Sequence, residues 1–284
     1  MKLFSPAKIN LFLRVIRRRP DGYHELETLF ERISLGDDIY LKRIPSGIRF
    51  RTASRNIPSD ASNLACRAAQ LLKDRFHVAK GVEIRLVKRV PVAAGLGGGS
   101  SNAAAVLLGL NRLWKLKLSQ KQLLALGAEL GSDVPFFILE TPFALGTGRG
   151  EILRKVSVKK ARFWHCLVKP PFGISTKEAY GALRPSSLTP PKANVKMLLH
   201  SIQKGDSERL SELLVNSLEV SLNNRVTTIS KIKSELVRHG AFASLMSGSG
   251  STVFGIFRSR QKAARAARIL KKNKSWQVFV ASTY

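Results

Sequence analysis

The densest run of residues able to do chemistry is a glycine- and serine-rich stretch: Pro91, Val92, Ala93, Ala94, Gly95, Leu96, Gly97, Gly98, Gly99, Ser100 and Ser101. Its glycines permit positive φ and let a ligand approach the backbone. A helix beginning there would turn its first free N–H groups toward an anion. Ser100 and Ser101 are of a type that caps a first helical turn, and their hydroxyls suit a phosphate oxygen or a metal ion. Two familiar nucleotide-loop patterns fail here. No Lys-Ser or Lys-Thr follows the last glycine, and Ser100 stands where a dinucleotide fingerprint needs its third glycine. A flexible linker is the competing reading, but a linker needs no amphipathic, Ala-rich run behind it. Alone, the stretch supports binding of some anion.

Three smaller sets join it. Lys8 and Asn10 share one face of a strand-like run, with Ile9, Leu11 and Leu13 on the other. A lysine in such a run more often marks an edge or a surface, yet beside Asn10 and with an anion loop in the chain it gains a claim to chemistry. Asp133 lies between a helix end and Val134, Pro135, Phe136 and Phe137. It reads either as a cap or turn aspartate, or as a general base or lysine partner in dry surroundings. Tyr23 and His24 follow the turn Pro20-Asp21-Gly22, and they offer a stacking face and two ring nitrogens able to read a base edge.

Positioning these groups falls to a mixed set of elements. Strand patterns cover 4–15, 26–35, 39–43 and 82–90, and Gly36-Asp37-Asp38 is expected to close the second of them. Helices are expected over 64–76, entered through Asn63, and from the glycine stretch to Trp114. Another is expected from a capping box of Ser119 and Gln122 to Leu130, with Gly131 beyond its end. A glycine-rich hairpin turn is expected within 143–151. Past Arg154 come a strand at 163–168, a kinked loop, a short helix bearing Tyr180 and a Pro/Ser-rich surface loop at 185–192. Helices at 193–203, 207–215 and 226–238, a third glycine-rich turn, a helix at 261–272 and a strand at 277–282 complete the chain. The order predicts domains at 1–154 and 155–284, the second α+β with an antiparallel sheet.

Composition narrows the function classes. Hydrophobic residues make up 44%, which predicts a folded rather than disordered chain. No run of about eighteen uncharged apolar residues is present, and no apolar signal segment precedes Lys8, so a cytoplasmic protein without membrane partners is expected. Cys66 and Cys166 read as buried free thiols. No Cys or His cluster has metal-ligand spacing, so no protein-held metal is expected. The net charge of +29, from 48 Lys+Arg against 19 Asp+Glu, favours anionic partners and makes RNA binding a rival reading. The cations are spread along the chain, however, and the densest runs, Arg17-Arg18-Arg19 and Lys271-Lys272, are not interleaved with aromatics. No nucleic-acid partner is therefore expected.

Together these groups resemble the three motifs of the GHMP kinases, the small-molecule kinases that include galactokinase, homoserine kinase and mevalonate kinase. Pro91 to Ser101 is similar to the central loop of that family, and Ser247-Gly-Ser-Gly-Ser-Thr252 to its third motif. Ser5-Pro-Ala-Lys8-Ile-Asn10-Leu-Phe-Leu and Asp21-Gly-Tyr23-His24-Glu-Leu-Glu-Thr28-Leu-Phe resemble the first motif of members acting on a cytidine-diphosphate-linked methylerythritol. Gly131 to Phe137 and Thr147 to Glu151 extend the resemblance, which runs from residue 5 to about 257.

The resemblance implies an α+β, two-lobed fold with an N-terminal βαβ lobe for ATP, a C-terminal α+β lobe and the active site in the cleft. It implies ATP-dependent phosphorylation of the substrate 2-hydroxyl, helped by Mg²⁺; either a monomer or a homodimer is expected. On it, Asp133 matches the base and Lys8 its partner, and Asn10 matches a substrate-binding position. Tyr23 and Tyr180 match aromatics that sandwich the cytosine, and His24 the reader of its edge. Residues 91–101 match the ATP loop, with Asn63 and Lys88 near the adenine. Asn102 stands where many members carry Asp, and Ala93-Ala94 replaces a glycine-containing pair. A homoserine or mevalonate kinase type is the alternative. Tyr23 and His24 argue against it, because those substrates have no base to stack on or read.

Overall fold

A computed structural model describes residues 1–158, 162–183 and 194–284. The loop expected at 185–192 lies outside them. The chain forms two compact units. The first comprises Met1–Ala7, Gly36–Val92 and Gly97–Thr141, and the second Lys8–Leu35, Ala93–Leu96 and Pro142–Tyr284. Two long strands, β1 (Lys2–Arg18) and β2 (His24–Ile44), contribute to both.

In the first unit β3 (Ile48–Thr52) runs parallel to a strand that follows the helix α1 (Leu64–Arg75), namely β4 (Gly81–Val87). The second half of β2 pairs antiparallel with β4. Helices α2 (Gly98–Leu113) and α3 (Gln120–Leu130) pack against α1, and α4 (Val134–Ile138) packs against α2 and α3. The expected caps are present. Asn63 Oδ1 accepts from Ala65 N–H at 2.9 Å, and Ser119 and Gln122 form the reciprocal box at the start of α3.

The turn expected at Gly36-Asp37-Asp38 does not form, and β2 is one 21-residue strand. Asp37 is fully buried. Its carboxylate accepts from Arg89 N–H (2.7 Å), Val90 N–H (2.8 Å), Asn102 Nδ2 (2.9 Å) and Lys88 Nζ (2.5 Å). An aspartate that bonds to groups distant in sequence has no acceptor left to fold its own backbone into a turn. Gly36 provides space rather than a bend, since a Cβ there would lie 2.4 Å from Phe4 Cζ.

In the second unit the first half of β2 pairs antiparallel with β5 (Phe143–Gly148), which forms the expected hairpin with β6 (Ile152–Lys155). Next in order come β7 (Trp164–Lys169), α5 (Thr176–Gly181), α6 (Val195–Lys204), α7 (Ser207–Leu213) and β8 (Val215–Asn216). The chain ends with α8 (Val226–Arg238), β9 (Ala243–Met246), β10 (Val253–Phe257), α9 (Arg260–Leu270) and β11 (Gln277–Ser282). Four of these strands make the antiparallel sheet expected for this part, in the order β11-β7-β10-β9. Ile229, Ile232 and Leu236 of α8 fall at helical spacing and are buried with Ala263, Ala266 and Leu270 of α9. Each large aliphatic there stabilises the unit by about 1.5–3 kcal/mol on full burial. β8 lies parallel to β1, with Val215 opposite Phe12. Cys66 and Cys166 are buried free thiols. No helix among the described residues is long and apolar enough to cross a membrane.

Candidate active site

The glycine-rich stretch passes from the first unit to the second and back. At its entry, Asp37 fixes the backbone of Arg89 and Val90 and holds Lys88 in an ion pair. The middle, Ala93–Leu96, is tied to the second unit. Ala94 C=O accepts from Thr252 N–H at 3.2 Å, Gly95 C=O from Ser247 Oγ at 3.0 Å, and Leu96 C=O from Lys8 N–H at 3.0 Å. Gly95 has φ 73°, and a Cβ on it would meet Ser247 C=O at 2.0 Å, so only glycine allows the third glycine-rich turn this close.

Gly97, with φ 66°, is the N-cap of α2, and the helix begins at Gly98. Ser100 and Ser101, expected to cap it, lie inside its first turn, because the left-handed glycine starts the helix earlier. The first helical bond runs from Ser101 N–H to Gly97 C=O, so the N–H groups of Gly98, Gly99 and Ser100 point out of the ladder. Lys88 Nζ lies beside them, 2.9 Å from where a Cβ on Gly98 would sit. Burial pushes the Lys88 pKa below its ordinary value although Asp37 opposes the shift. Ser101 Oγ is buried and accepts from Ser5 Oγ at 2.8 Å, and Ser5 in turn accepts from Asn102 Nδ2 at 2.9 Å. Free amides, the helix dipole and a buried cation are the groups that an anion site requires.

Lys8, only 4% exposed, is a buried lysine of β1 rather than an edge residue. Its Nζ donates to Asn10 Oδ1 at 2.7 Å and lies 5.6 Å from the centre of the Phe30 ring. Asn10 Nδ2 donates to Thr28 Oγ1 at 2.8 Å, and that hydroxyl donates to Phe12 C=O at 2.7 Å. Gly248 of the third glycine-rich turn closes over this group. A Cβ there would stand 3.1 Å from each of Lys8 Nζ, Asn10 Oδ1 and Gly95 C=O.

The turn before Tyr23 forms as expected: Gly22 has φ 83°, and Gly22 N–H donates to Arg19 C=O. Tyr23 is 54% exposed, with the Arg149 guanidinium 4.7 Å from its ring centre. His24 meets Tyr180 instead, with ring centres 5.2 Å apart. Burial and, secondarily, the charge of Arg18 hold His24 below its ordinary pKa. At neutral pH its ring is uncharged, with one donor and one acceptor nitrogen to present.

Asp133 is half-buried at the turn from α3 into α4, ahead of the buried run Val134–Ile138. It occupies the N-cap position, but its side chain makes no cap hydrogen bond. Asn63 uses both ends of its amide locally, as the α1 cap and as donor to Pro58 C=O at 2.7 Å. Among the described residues, no group of three or more His, Cys, Asp or Glu side chains is placed to hold a metal ion. Sequence reading missed Asp37, whose Gly-Asp-Asp setting imitates a turn, and gave Thr28 no role of its own. The signal for Thr28 was its place in the run 21–30 that resembles the family's first motif.

Residues 63–141 match the family model for the GHMP kinases N terminal domain, and residues 198–275 that for GHMP kinases C terminal. A curated relative from Bacillus velezensis, named 4-diphosphocytidyl-2-C-methyl-D-erythritol kinase, is 46% identical over 92% of this chain and 89% of its own. A Clostridioides difficile relative of the same name is 41% identical over 100% of this chain and 95% of its own. A crystal structure of 4-(cytidine 5'-diphospho)-2C-methyl-D-erythritol kinase superposes with TM-score 0.86 at 35% identity, covering 99% of this chain and 98% of that one. Homoserine kinase from Cytophaga hutchinsonii shares the fold, with TM-score 0.77 at 20% identity over 100% of this chain and 94% of that one.

Proposed function

The chain belongs to the GHMP kinases, and we propose that it phosphorylates the 2-hydroxyl of 4-diphosphocytidyl-2-C-methyl-D-erythritol with ATP. The products are the 2-phosphate and ADP, on the non-mevalonate route to isoprenoids. One observation carries the choice of substrate: relatives of that name match this chain over at least nine-tenths of its length. The work is placed in the cytoplasm, in a monomer or homodimer, with residues 1–154 as the ATP-binding domain and 155–284 as its C-terminal companion.

A triphosphate fits the start of α2. The outward N–H groups of Gly98, Gly99 and Ser100 would hold it, the missing Cβ of Gly98 leaves the room, and Lys88, expected near the adenine, has its ammonium beside this helix start instead. Pro91 to Leu96, Gly97, Ser101 and Asn63 complete the ATP-binding set in this reading. ATP would supply the phosphoryl group, and Mg²⁺ bound with it would supply positive charge.

The chain contributes position, charge and a proton acceptor. Asp133 takes the proton of the substrate 2-hydroxyl at its carboxylate, as a general base. Lys8 sets its ammonium against the charge developing on the reacting oxygens, and burial makes that charge more effective than it would be in water. Asn10 fixes the direction of Lys8 Nζ and takes part in substrate binding. Tyr23 and Tyr180 hold the cytosine, and the neutral ring of His24 reads its edge with one donor and one acceptor. Steady-state turnover of ATP with the diphosphocytidyl substrate, mevalonate and homoserine tests this. Turnover is expected with the first alone, and activity confined to either of the others would overturn it.

A further inference from the structure

We propose that Thr28 is a positioning residue for the phosphoryl transfer, acting through Asn10 to aim the Lys8 ammonium. The inference rests on the role given above to Lys8. Three linked hydrogen bonds carry it, all within buried residues of the second unit: Lys8 Nζ to Asn10 Oδ1 (2.7 Å), Asn10 Nδ2 to Thr28 Oγ1 (2.8 Å) and Thr28 Oγ1 to Phe12 C=O (2.7 Å).

The direction of this chain is set from its far end. A backbone carbonyl can only accept, so the Thr28 hydroxyl must spend its single proton on Phe12 C=O. Thr28 Oγ1 then has only lone pairs to offer, and the group facing it must be the Asn10 amide nitrogen. With its nitrogen fixed there, Asn10 turns its oxygen to Lys8. The opposite amide orientation would set N–H against an ammonium, which itself can only donate. Thr28 and the ammonium thus require the same orientation of the Asn10 amide, and Thr28 anchors its nitrogen end although it does not touch the lysine.

The surroundings keep this hydroxyl in place. Thr28 is 1% exposed and stands opposite Gly146 of β5, where a Cβ would lie 3.0 Å from Thr28 Cγ2. The methyl group packs against the neighbouring strand while the hydroxyl points along the relay. Valine keeps that methyl packing and the volume but lacks the acceptor, so Thr28→Val removes the orienting bond alone. Thr28→Ser restores the hydroxyl.

The test compares T28V, T28S, Lys8→Ala and the T28V/K8A double variant in the full chain. Steady-state and single-turnover kinetics are read beside thermal unfolding. For T28V we expect a kcat about 10- to 100-fold lower with KM for ATP nearly unchanged, the scale of a misaimed group. T28S should return to within about 3-fold of the starting kcat, and T28V should add no further loss in the K8A background. Wild-type turnover in T28V beside an inactive K8A overturns the role of Thr28 and leaves that of Lys8 standing. A T28V loss that multiplies undiminished onto K8A also overturns it, by marking a purely structural effect. Normal turnover in K8A removes the premise itself. If T28V does not fold, Thr28→Cys, similar in volume and weak as an acceptor, takes its place with the same outcomes.

Discussion

Lys8 is held almost out of water, and on the proposed reading it delivers charge at a fixed point. Lys8→Ala is expected to lower kcat by about 10²-fold or more while KM for ATP stays near its starting value, as steady-state kinetics would show. Asp133→Asn keeps shape and removes the proton acceptor. A folded D133N protein should lose about 10²-fold or more in kcat, and near-normal turnover would refute the base assignment. Both residues were legible in the sequence as types, a lysine inside an apolar strand and an acid ahead of Pro-Phe-Phe. Thr28 was legible only as a member of a motif-like run, and its role was not, because only the direction of its bonds, which no spacing encodes, distinguishes it.

At the scale of elements, the entry to the glycine-rich stretch depends on a carboxylate in β2. Asp37 alone satisfies two backbone N–H groups, an amide and a buried ammonium. Asp37→Asn would leave Lys88 buried beside an amide that cannot balance its charge, at a cost of about 3–5 kcal/mol. Denaturant unfolding should show this loss, and the added change Lys88→Met should recover part of it. Sequence patterning found the elements whose ends are chemically signed: Asn63 ahead of α1, the Ser119 box ahead of α3, and the residues of α8 from end to end. It failed where a polar run had two uses. Gly36-Asp37-Asp38 has turn composition, but close packing on Phe4 and bonds to distant partners keep the strand extended. Similarly, Ser100 and Ser101 have cap composition, but the left-handed Gly97 had already begun the helix.

On the scale of the whole molecule, a net charge of +29 favours encounter with anions, and the proposed substrates are all anions. Raising ionic strength should lower kcat/KM for the diphosphocytidyl substrate more than kcat, since screening weakens encounter and leaves a buried site largely intact. Each unit also carries a buried thiol. Burial pushes the Cys66 thiol up to about 11 and the Cys166 thiol up to about 12, so thiolate is scarce near neutral pH. Both should resist thiol reagents in the native chain at about pH 7.5 and react together on unfolding; rapid native labelling of either would contradict its burial. The proposed reaction puts a phosphoryl group on one hydroxyl, and the phosphorus spectrum of the product reads which one. Carbon 2 of the substrate carries the methyl group and no hydrogen. Incubation with ATP and Mg²⁺ should therefore give one new phosphomonoester resonance without proton coupling, with the diphosphate intact. A resonance coupled to carbinol protons, or inorganic phosphate as the sole product, would contradict the assignment.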